Sequence, residues 1–357
     1  MTGVRCLLMR GGTSKGAFFL ASDLPADAAE RDDLLLRIMG SPDPTQIDGL
    51  GGAQPVTSKV AVLSPSAEPD CDVDYLFLQV GIDSATVADN QTCGNLLAAV
   101  GQFAVERGLV AAGPERTSVR IHMVNTGGRA ESTFATPGGC VDYAGATAVA
   151  GVPGTAAPVA LAFAGTEGSV CGSLLPTGRR VDEIDGLAVT CVDNGMPVVV
   201  VRAADLGRTG YETRAELAAD AELAERVGSL RRHAGKRMGL GDVTGTAVPK
   251  VTLVSAPRHG GAIATRTFNV FDPVRPHPSI GVFGAVSVVT AALLDGAVGH
   301  ELLVRPPSGR PFAVEHASGA LEVEVDLDQH SDPPAVRRAA VIRTARPLFD
   351  GTTYPRP

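Results

Sequence analysis

Short apolar runs separated by turn-forming residues dominate this chain and predict a strand-rich fold. Residues 4–9 (VRCLLM) and 17–20 (AFFL) predict two strands around the loop RGGTSKG, and residues 75–82 (YLFLQVGI) predict another. Alternating apolar and polar residues continue this pattern through 117–200 and 248–271, and short strands are expected from there to the end of the chain.

Four segments predict helices, and two of them are unusual. Residues 27–39 and 211–238 have apolar side chains at helical spacing on one face only. Residues 89–110 and 276–298 instead begin in a polar loop and continue as nearly all-apolar helices, which is typical of helices buried inside a domain. These two segments lie about half the chain apart. They indicate two similar halves, although the identity between the halves is weak and leaves internal duplication open.

Length and composition limit the class of protein. A chain of 357 residues is long enough for about two domains. The net charge of −8 argues against nucleic acid as a partner, because that affinity comes from basic residues that neutralise phosphates. No stretch reaches the roughly 18 apolar residues of a membrane span, and the N-terminus does not resemble a secretory signal. The six cysteines are therefore expected to be free thiols in a cytoplasmic protein.

Lys59 and Cys93 are the candidate proton-transfer residues. Lys59 stands at the start of a predicted strand in VTSKVAVL, where burial would disfavour the charged ammonium and favour a general base. Cys93 stands in NQTCGN where a loop becomes a buried helix, and a helix N-terminus favours a thiolate. Alone, each signal is weak, since a lysine at a strand end is usually on the surface and a lone cysteine is usually a small core residue.

The loop RGGTSKG (10–16) combines glycines with donors that suit a carboxylate or phosphate, although an ordinary hairpin turn would also explain it. It lacks the spacing of a phosphate-binding P-loop, and GLGGAQ and GLGDVTG lack the context of a dinucleotide fingerprint. There is no G-x-S-x-G elbow of a serine hydrolase and no C-x-x-C or H-x-x-x-H pair for zinc. No cofactor and no metal are expected.

Several long motifs together resemble one family. MRGGTSKGAFF, DGLGGAQPVTSKVAVL, DNQTCGN, DNGMPVVVVRAADLG and RTARPLFDGTTY are similar to the PrpF family, whose members include methylaconitate cis-trans isomerase and 4-oxalomesaconate tautomerase. CLLMRGGTSKGAFFLASDLPAD and VDYLFLQVGID are most similar to the tautomerase branch. The resemblance implies an α+β, diaminopimelate epimerase-like fold with two pseudo-symmetric domains. Each would be a β-barrel-like sheet around a central helix, with the active site between them. The domains are expected at 1–185, with 340–357 returning to it, and at 186–339.

The resemblance also implies a cofactor-independent isomerase of a small anionic tricarboxylate, with 4-oxalomesaconate, an intermediate of gallate-type degradation, as the expected substrate. The lysine and the cysteine that the resemblance implies as catalytic residues correspond to Lys59 and Cys93. A homodimer is the expected assembly. The expected substrate-binding residues are Arg10, Thr13, Ser14, Lys15, Ser58, Thr92, Gly94 and Asn95 from the first half, and His277, Ser279, Ile280 and Gly281 from the second.

Four other functions remain to be weighed. Within the family, a 2-methylaconitate cis-trans isomerase and an oxalomesaconate double-bond isomerase are both compatible with the sequence. A non-catalytic protein that binds a partner enzyme is disfavoured because both Lys59 and Cys93 are present. An amino-acid racemase with one cysteine in each half is disfavoured because the second helix start, HPSIGVFG (277–284), contains no cysteine.

Overall fold

The computed structural model describes residues 3–89, 93–244, 246, 248–269, 275–308 and 310–357. The chain forms two compact units, one of Met1–Ala162 with Arg343–Pro357 and one of Phe163–Ile342. The boundary expected from the sequence lay later, after residue 185. Residues 163–185 lie in the second unit because the turn around Val170 is tied to the end of a second-unit strand: the backbone N–H of Val170 donates to a carboxylate oxygen of Asp193 at 2.8 Å.

The first unit contains one surface helix, one buried helix and a set of mostly antiparallel strands. The elements are β1 (Val4–Gly11), β2 (Ser14–Leu20), α1 (Ala28–Met39), β3 (Lys59–Pro65), β4 (Val73–Val80), β5 (Val87–Ala88), α2 (Gly94–Glu106), β6 (Arg116–Met123), β7 (Gly128–Ala135), β8 (Thr147–Ala148), β9 (Thr155–Ala156) and β10 (Pro158–Phe163), whose last residue belongs to the second unit.

The second unit has the same kinds of element. They are β11 (Asp182–Ile184), β12 (Leu187–Asp193), β13 (Pro197–Arg202), α3 (Arg214–Ala219), α4 (Ala221–Arg237), β14 (Lys250–Ser255), β15 (Ile263–Asn269), β16 (Arg275–Pro276), α5 (Val282–Leu293), β17 (Phe312–His316), β18 (Gly319–Asp328) and β19 (Ala335–Thr353). The last strand pairs with β18 through its first part and with β1 through its last part, Ala345–Thr353.

The two units repeat one strand topology. In the first unit, β1–β2, β3–β4, β4–β5 and β6–β7 are antiparallel pairs, whereas β2–β3 and β4–β6 are parallel. In the second unit, β12–β13, β14–β15, β15–β16 and β17–β18 are antiparallel, whereas β13–β14 and β15–β17 are parallel. A surface helix interrupts the order after the second strand, and a buried helix interrupts it after the short fifth strand. The expected duplication, which identity alone left open, is confirmed at the level of strand pairing.

Each sheet is covered by a different helix on each of its faces. In the first unit, α1 contributes Leu35, Ile38 and Met39 to a core that includes Cys6 and Phe19. On the other face, the Phe18 ring packs against the Phe103 ring of α2, with ring centroids 5.5 Å apart. In the second unit, α4 takes the place of α1 and packs on β12, β13 and β14. The buried residues of α2 run from Leu96 to Ala104 and those of α5 from Gly284 to Leu293. The predicted α+β class, with a sheet around a central helix in each half, is confirmed.

Two element predictions needed correction. The single helix expected at 211–238 is two helices, because Asp220 leaves the helical conformation and instead caps α4 by accepting the N–H of Leu223 at 3.0 Å. The end of the chain is not a series of short strands, since β19 runs for 19 residues. Within the described ranges, every helix is too short or too polar to cross a lipid bilayer.

The Phe18–Phe103 contact predicts a large loss of stability when the ring is removed. Phe103 is fully buried, so Phe103→Ala should lower the free energy of unfolding by about 3–5 kcal/mol through lost burial and an internal cavity. Phe349 is 49% exposed, and Phe349→Ala should change stability by no more than about 0.5 kcal/mol. Urea unfolding followed by circular dichroism measures both. Equal losses in the two variants would contradict this account of the core.

Candidate active site

Lys59 is the first residue of β3, and its side chain is held from the neighbouring strand. Its backbone stands opposite Gln79 of β4, and its Nζ donates a hydrogen bond to Gln79 Oε1 at 3.0 Å. Nζ also lies 4.8 Å from the centroid of the Phe77 ring, within the range of a cation–π contact. The amide of Gln79 is itself fixed, because its Nε2 donates to the carbonyl oxygen of Ser58 at 2.8 Å. Among the described residues, the ammonium of Lys59 is therefore held by a neutral amide and an aromatic ring.

Cys93 is the N-cap residue of α2, and it is 8% exposed. Its side chain makes no capping hydrogen bond. The backbone N–H groups of the first helical turn have no partners within a helix, and the helix dipole adds partial positive charge there. A Cβ added to Gly94, the next residue, would meet nothing within 4 Å among the described atoms. The buried thiol thus lies at a helix start that suits an anion.

One face of β4 contacts both predicted proton-transfer residues. Alternate residues of a strand share a face, so Tyr75, Phe77 and Gln79 lie side by side. The hydroxyl of Tyr75 donates to the carbonyl oxygen of Cys93 at 3.3 Å, whereas Phe77 and Gln79 contact Lys59. Burial, together with Cys93, raises the pKa of Tyr75, which keeps its hydroxyl a neutral donor. Residues 34 positions apart in sequence are in this way fixed by a single strand face.

A buried amide organises the loop before Lys59. Gln46 is 1% exposed, and its Nε2 donates to Ser58 Oγ at 2.8 Å and to Ser41 Oγ at 3.0 Å. Its Oε1 accepts the N–H of Ala53 at 2.9 Å. A Cβ at Gly51 would lie 2.2 Å from this side chain, so glycine is required where the loop passes Gln46. The network fixes the backbone immediately before Lys59.

The RGGTSKG loop is a tight β1–β2 hairpin that packs on the first turn of α2. A Cβ at Gly11 would lie 2.4 Å from the carbonyl oxygen of Asn95, and one at Gly12 would lie 2.3 Å from Asn95 Oδ1. Gly12 also has a φ of 50°, which favours glycine. The N–H of Thr13 donates to Asn95 Oδ1 at 3.4 Å. The sequence predicted that these glycines let the backbone approach a ligand. The structure shows that they let it approach the start of α2, and the approach to a ligand stays a prediction.

The other expected binding residues of the first half divide into accessible and enclosed groups. Thr13 is exposed and Lys15 is partly exposed, so both can reach a ligand. Ser58 is fully buried, and its hydroxyl is used by Gln46 and by the carbonyl oxygen of Val80. Ser14 is 3% exposed. Thr92 lies outside the described residues.

Arg10 has a structural role that the sequence did not indicate. Its NH1 donates to the carbonyl oxygen of Gly12 at 2.9 Å and to both the carbonyl oxygen and Oγ1 of Thr344, at 3.1 and 3.0 Å. Burial, together with the positive charge of Arg346, lowers the pKa of this guanidinium. One of the two amino groups of the Arg10 guanidinium thus joins the hairpin to β19 through hydrogen bonds.

In the second unit, the predicted residues cluster at the start of α5. The N–H of His277 donates to the carbonyl oxygen of Thr267 at 2.8 Å, and its Nδ1 accepts the N–H of Ser279 at 2.9 Å. The neutral ring therefore carries its proton on Nε2. Gly281 is the N-cap residue of α5 without a side-chain cap, and a Cβ there would meet nothing within 4 Å among the described atoms. Ile280 is 5% exposed and can offer only its backbone.

Sequence reasoning missed the residues that support the pair. Gln79, Tyr75 and Gln46 carry no motif by themselves, although Gln46 lies two residues before the quoted motif DGLGGAQPVTSKVAVL. Asn125 was also missed: its Oδ1 accepts the N–H of Phe77 at 2.9 Å, and its Nδ2 donates to the carbonyl oxygen of Asp89 at 2.7 Å. It ties β4 to the segment that leads towards Cys93. In the part of the chain that the structure describes, no group of three or more His, Cys, Asp and Glu could hold a metal ion.

Comparison with known proteins decides the family. The family model described as PrpF protein matches residues 1–356. The chain belongs to the PrpF family.

Relatives of this PrpF protein are isomerases. It is 54% identical over 355 residues to a (4E)-oxalomesaconate Delta-isomerase of Novosphingobium sp. (strain KA1), covering 99% of this chain and 98% of the relative. It is 53% identical over 351 residues to a 4-oxalomesaconate tautomerase of Pseudomonas putida, covering 98% and 95%. The crystal structure of a methylitaconate-delta-isomerase matches with a TM-score of 0.89 at 33% identity, covering 99% of this chain and 96% of that one. This PrpF protein is an isomerase, and it shares the fold of that enzyme.

Thiol reactivity tests the burial of the other cysteines. Burial raises the pKa of both Cys6 and Cys191 to about 12, so at about pH 8.5 these thiols are almost entirely protonated and unreactive. Cys140 is exposed. Iodoacetamide should alkylate Cys140 first and leave Cys6 and Cys191 unmodified until denaturant is added, as measured by peptide mass spectrometry. Modification of Cys6 or Cys191 at the rate of Cys140 in the native protein would contradict the burial.

Proposed function

We propose that this protein isomerises an unsaturated oxo-tricarboxylate, with 4-oxalomesaconate as its substrate, and that Lys59 and Cys93 transfer the proton. The observation that carries the proposal is the shared face of β4, where Phe77 and Gln79 contact Lys59 and Tyr75 contacts Cys93. The 4-oxalomesaconate reactions named for the two relatives above support the substrate class.

The proposed isomerisation requires little from the protein beyond proton transfer. A C–H bond next to a conjugated keto group and carboxylate loses its proton to a base, and the negative charge spreads over the conjugated system as an enolate. An acid then returns a proton to another carbon or to the enol oxygen. Because the substrate delocalises its own charge, no cofactor is required. We assign Lys59 and Cys93 as the acid–base pair without assigning the order in which they act.

Donors in each unit are proposed to bind the carboxylates and the developing enolate. In the first unit, the N–H groups of Gly94 and Asn95 offer donors at the uncapped start of α2, and Thr13 and Lys15 offer accessible donors. Two of the predicted binding residues, Ser14 and Ser58, are buried, and Arg10 already donates hydrogen bonds within the protein. We therefore propose that these three residues position the hairpin and the strand that carries Lys59. In the second unit, the proposed donors are His277, Ser279 and the N–H groups of Ile280 and Gly281.

The protein is proposed to work in the cytoplasm as a homodimer, on an intermediate of gallate-type aromatic degradation. All six cysteines are free thiols, which fits a reducing compartment.

Removing either member of the pair should abolish most turnover without unfolding the protein. Lys59→Met and Cys93→Ser should each lower kcat by roughly 10²–10⁴-fold, because positioned proton transfer typically contributes that factor. Gln79→Leu should lower kcat less, since Lys59 stays present but loses its orienting partner. The ultraviolet absorbance of freshly prepared 4-oxalomesaconate is followed with time. Lys236→Met and Cys140→Ser, both at exposed positions, are matched controls. Full activity of both Lys59→Met and Cys93→Ser would refute the assignment.

A second reaction, a shift of the C=C bond of oxalomesaconate, is favoured by the name of the 54% identical relative. The two reactions differ in where the proton arrives. In D₂O, a tautomerase should exchange hydrogen at one carbon only, because the second atom that gains or loses the proton is oxygen. A double-bond isomerase should instead place deuterium on a carbon different from the one that lost hydrogen. Proton and carbon NMR of the product distinguishes them. We expect the tautomerase pattern. Deuterium at a new carbon, together with a displaced C=C bond, would show that the protein is a double-bond isomerase.

A further inference from the structure

The repeated topology places a second lysine at the position of Lys59. Lys59 is the first residue of β3, a strand parallel to β2 and antiparallel to β4. Lys250 is the first residue of β14, a strand parallel to β13 and antiparallel to β15. The two strands hold the same place in the two units, so each unit begins its third repeated strand with a lysine.

The loop that leads into Lys250 is held by a buried side chain, as the loop into Lys59 is. Arg231 of α4 is 4% exposed, and its guanidinium donates to the carbonyl oxygens of Thr246 at 2.7 Å, Val248 at 3.1 Å and Pro249 at 3.2 Å. These bonds fix the backbone directly before Lys250. They also place a permanent positive charge near it.

His277 approaches the same face of the sheet from the segment before α5. The backbone N–H of His277 donates to the carbonyl oxygen of Thr267. Thr267 stands opposite Thr252 of β14, and the hydroxyl oxygens of the two threonines lie 3.0 Å apart. Thr252 and Lys250 are alternate residues of one strand and share a face. Lys250 and His277, which directly follows β16, therefore lie on the same part of the sheet, two strands apart, and the charge of Lys250 acts on the His277 ring.

Positive charge is concentrated at this edge. Burial, together with Arg231, lowers the pKa of Lys250, which is partly buried. Burial also lowers the pKa of His277, and Lys250 of β14 and Arg214 of α3 lower it further. The neutral ring still presents its Nε2–H as a donor. A carboxylate can accept a hydrogen bond from both an ammonium and an imidazole N–H, so an anion suits this group of donors.

We propose that Lys250 and His277 form a carboxylate-binding subsite of the second unit, which binds a carboxylate group of the substrate. Lys250 binds and does not transfer the proton, because the start of α5 has Ile280 and Gly281 where the start of α2 has the thiol of Cys93. The subsite rests on the polycarboxylate substrate proposed above and adds a residue to it.

Binding of a saturated tricarboxylate tests the subsite without turnover. Tricarballylate, which has no C=C bond to isomerise, is titrated calorimetrically into the full-length protein. Lys250→Met should weaken its binding at least about 10-fold, since a hydrogen bond to a charged group is commonly worth that factor. Lys250→Arg, which keeps the charge, should stay within about 3-fold of the wild type. Lys236→Met, on the exposed face of α4, should bind as the wild type does.

Steady-state kinetics separates binding from chemistry. Lys250→Met should raise KM for the oxo-tricarboxylate by a factor similar to its loss of tricarballylate affinity, with a smaller change in kcat. Lys59→Met should do the reverse, losing kcat while it still binds tricarballylate. If Lys250→Met does not fold, as judged by circular dichroism, His277→Ala gives an independent test and should also weaken binding.

Two results would overturn the subsite. One is unchanged tricarballylate affinity in folded Lys250→Met and His277→Ala, with the wild type active. The other is a Lys250→Met variant that binds tricarballylate normally but loses kcat, which would make Lys250 a proton-transfer residue. A wild type that neither binds tricarballylate nor converts 4-oxalomesaconate would instead remove the proposed substrate class together with the subsite.

Discussion

The structure depends on burying two helices that are apolar around almost their whole circumference. α2 is enclosed from Leu96 to Ala104 and α5 from Gly284 to Leu293. Such a helix cannot face water on any side, so a sheet must wrap around it, and a second helix must cover the outer face of that sheet. α1 and α4 do this in the two units. The strand order is repeated because each unit buries one apolar helix with the same set of strands and a covering helix.

This burial has a consequence at the helix starts. The surface helices α1, α3 and α4 begin with Asp27, Thr213 and Asp220, whose side chains accept the N–H groups of the first turn. The N-cap residues of α2 and α5 are Cys93 and Gly281, and neither makes a side-chain capping bond. A first turn that is not capped leaves N–H donors and partial positive charge for another acceptor. A carboxylate or an enolate is an acceptor that fits both the charge and the geometry.

Local signals in the sequence predict the helices and most strands well. Asp27 and Gly40 mark the ends of α1 as its pattern indicates, since Asp27 caps it and Gly40 ends it at a φ of 79°. The support of the candidate pair could not be predicted in the same way. Gln79 meets Lys59 only because β3 and β4 pair in one register, and a shift by one residue would turn Gln79 to the other face. Gln46 and Asn125 likewise act through contacts with residues distant in sequence. The structural role of Arg10 was not predictable either, because its NH1 binds Gly12 and, far away in the sequence, Thr344; its role as a ligand-binding cation stays a prediction.

Duplication followed by divergence accounts for the proposed division of roles between the two units. Both units begin the third repeated strand with a lysine, Lys59 and Lys250, so the positive charge is a shared feature of the repeat. The thiol is not shared, since Cys93 has no counterpart at the start of α5. Lys59 is held by the neutral amide of Gln79 and the ring of Phe77, whereas Arg231 places a positive charge near Lys250. Lys59 shares its unit with the thiol of Cys93, a second group that can exchange a proton, whereas the cation Arg231 near Lys250 suits the binding of an anion. In the proposed roles, the first unit supplies the proton-transfer residues and the second a carboxylate-binding subsite, although the two units have the same strand topology.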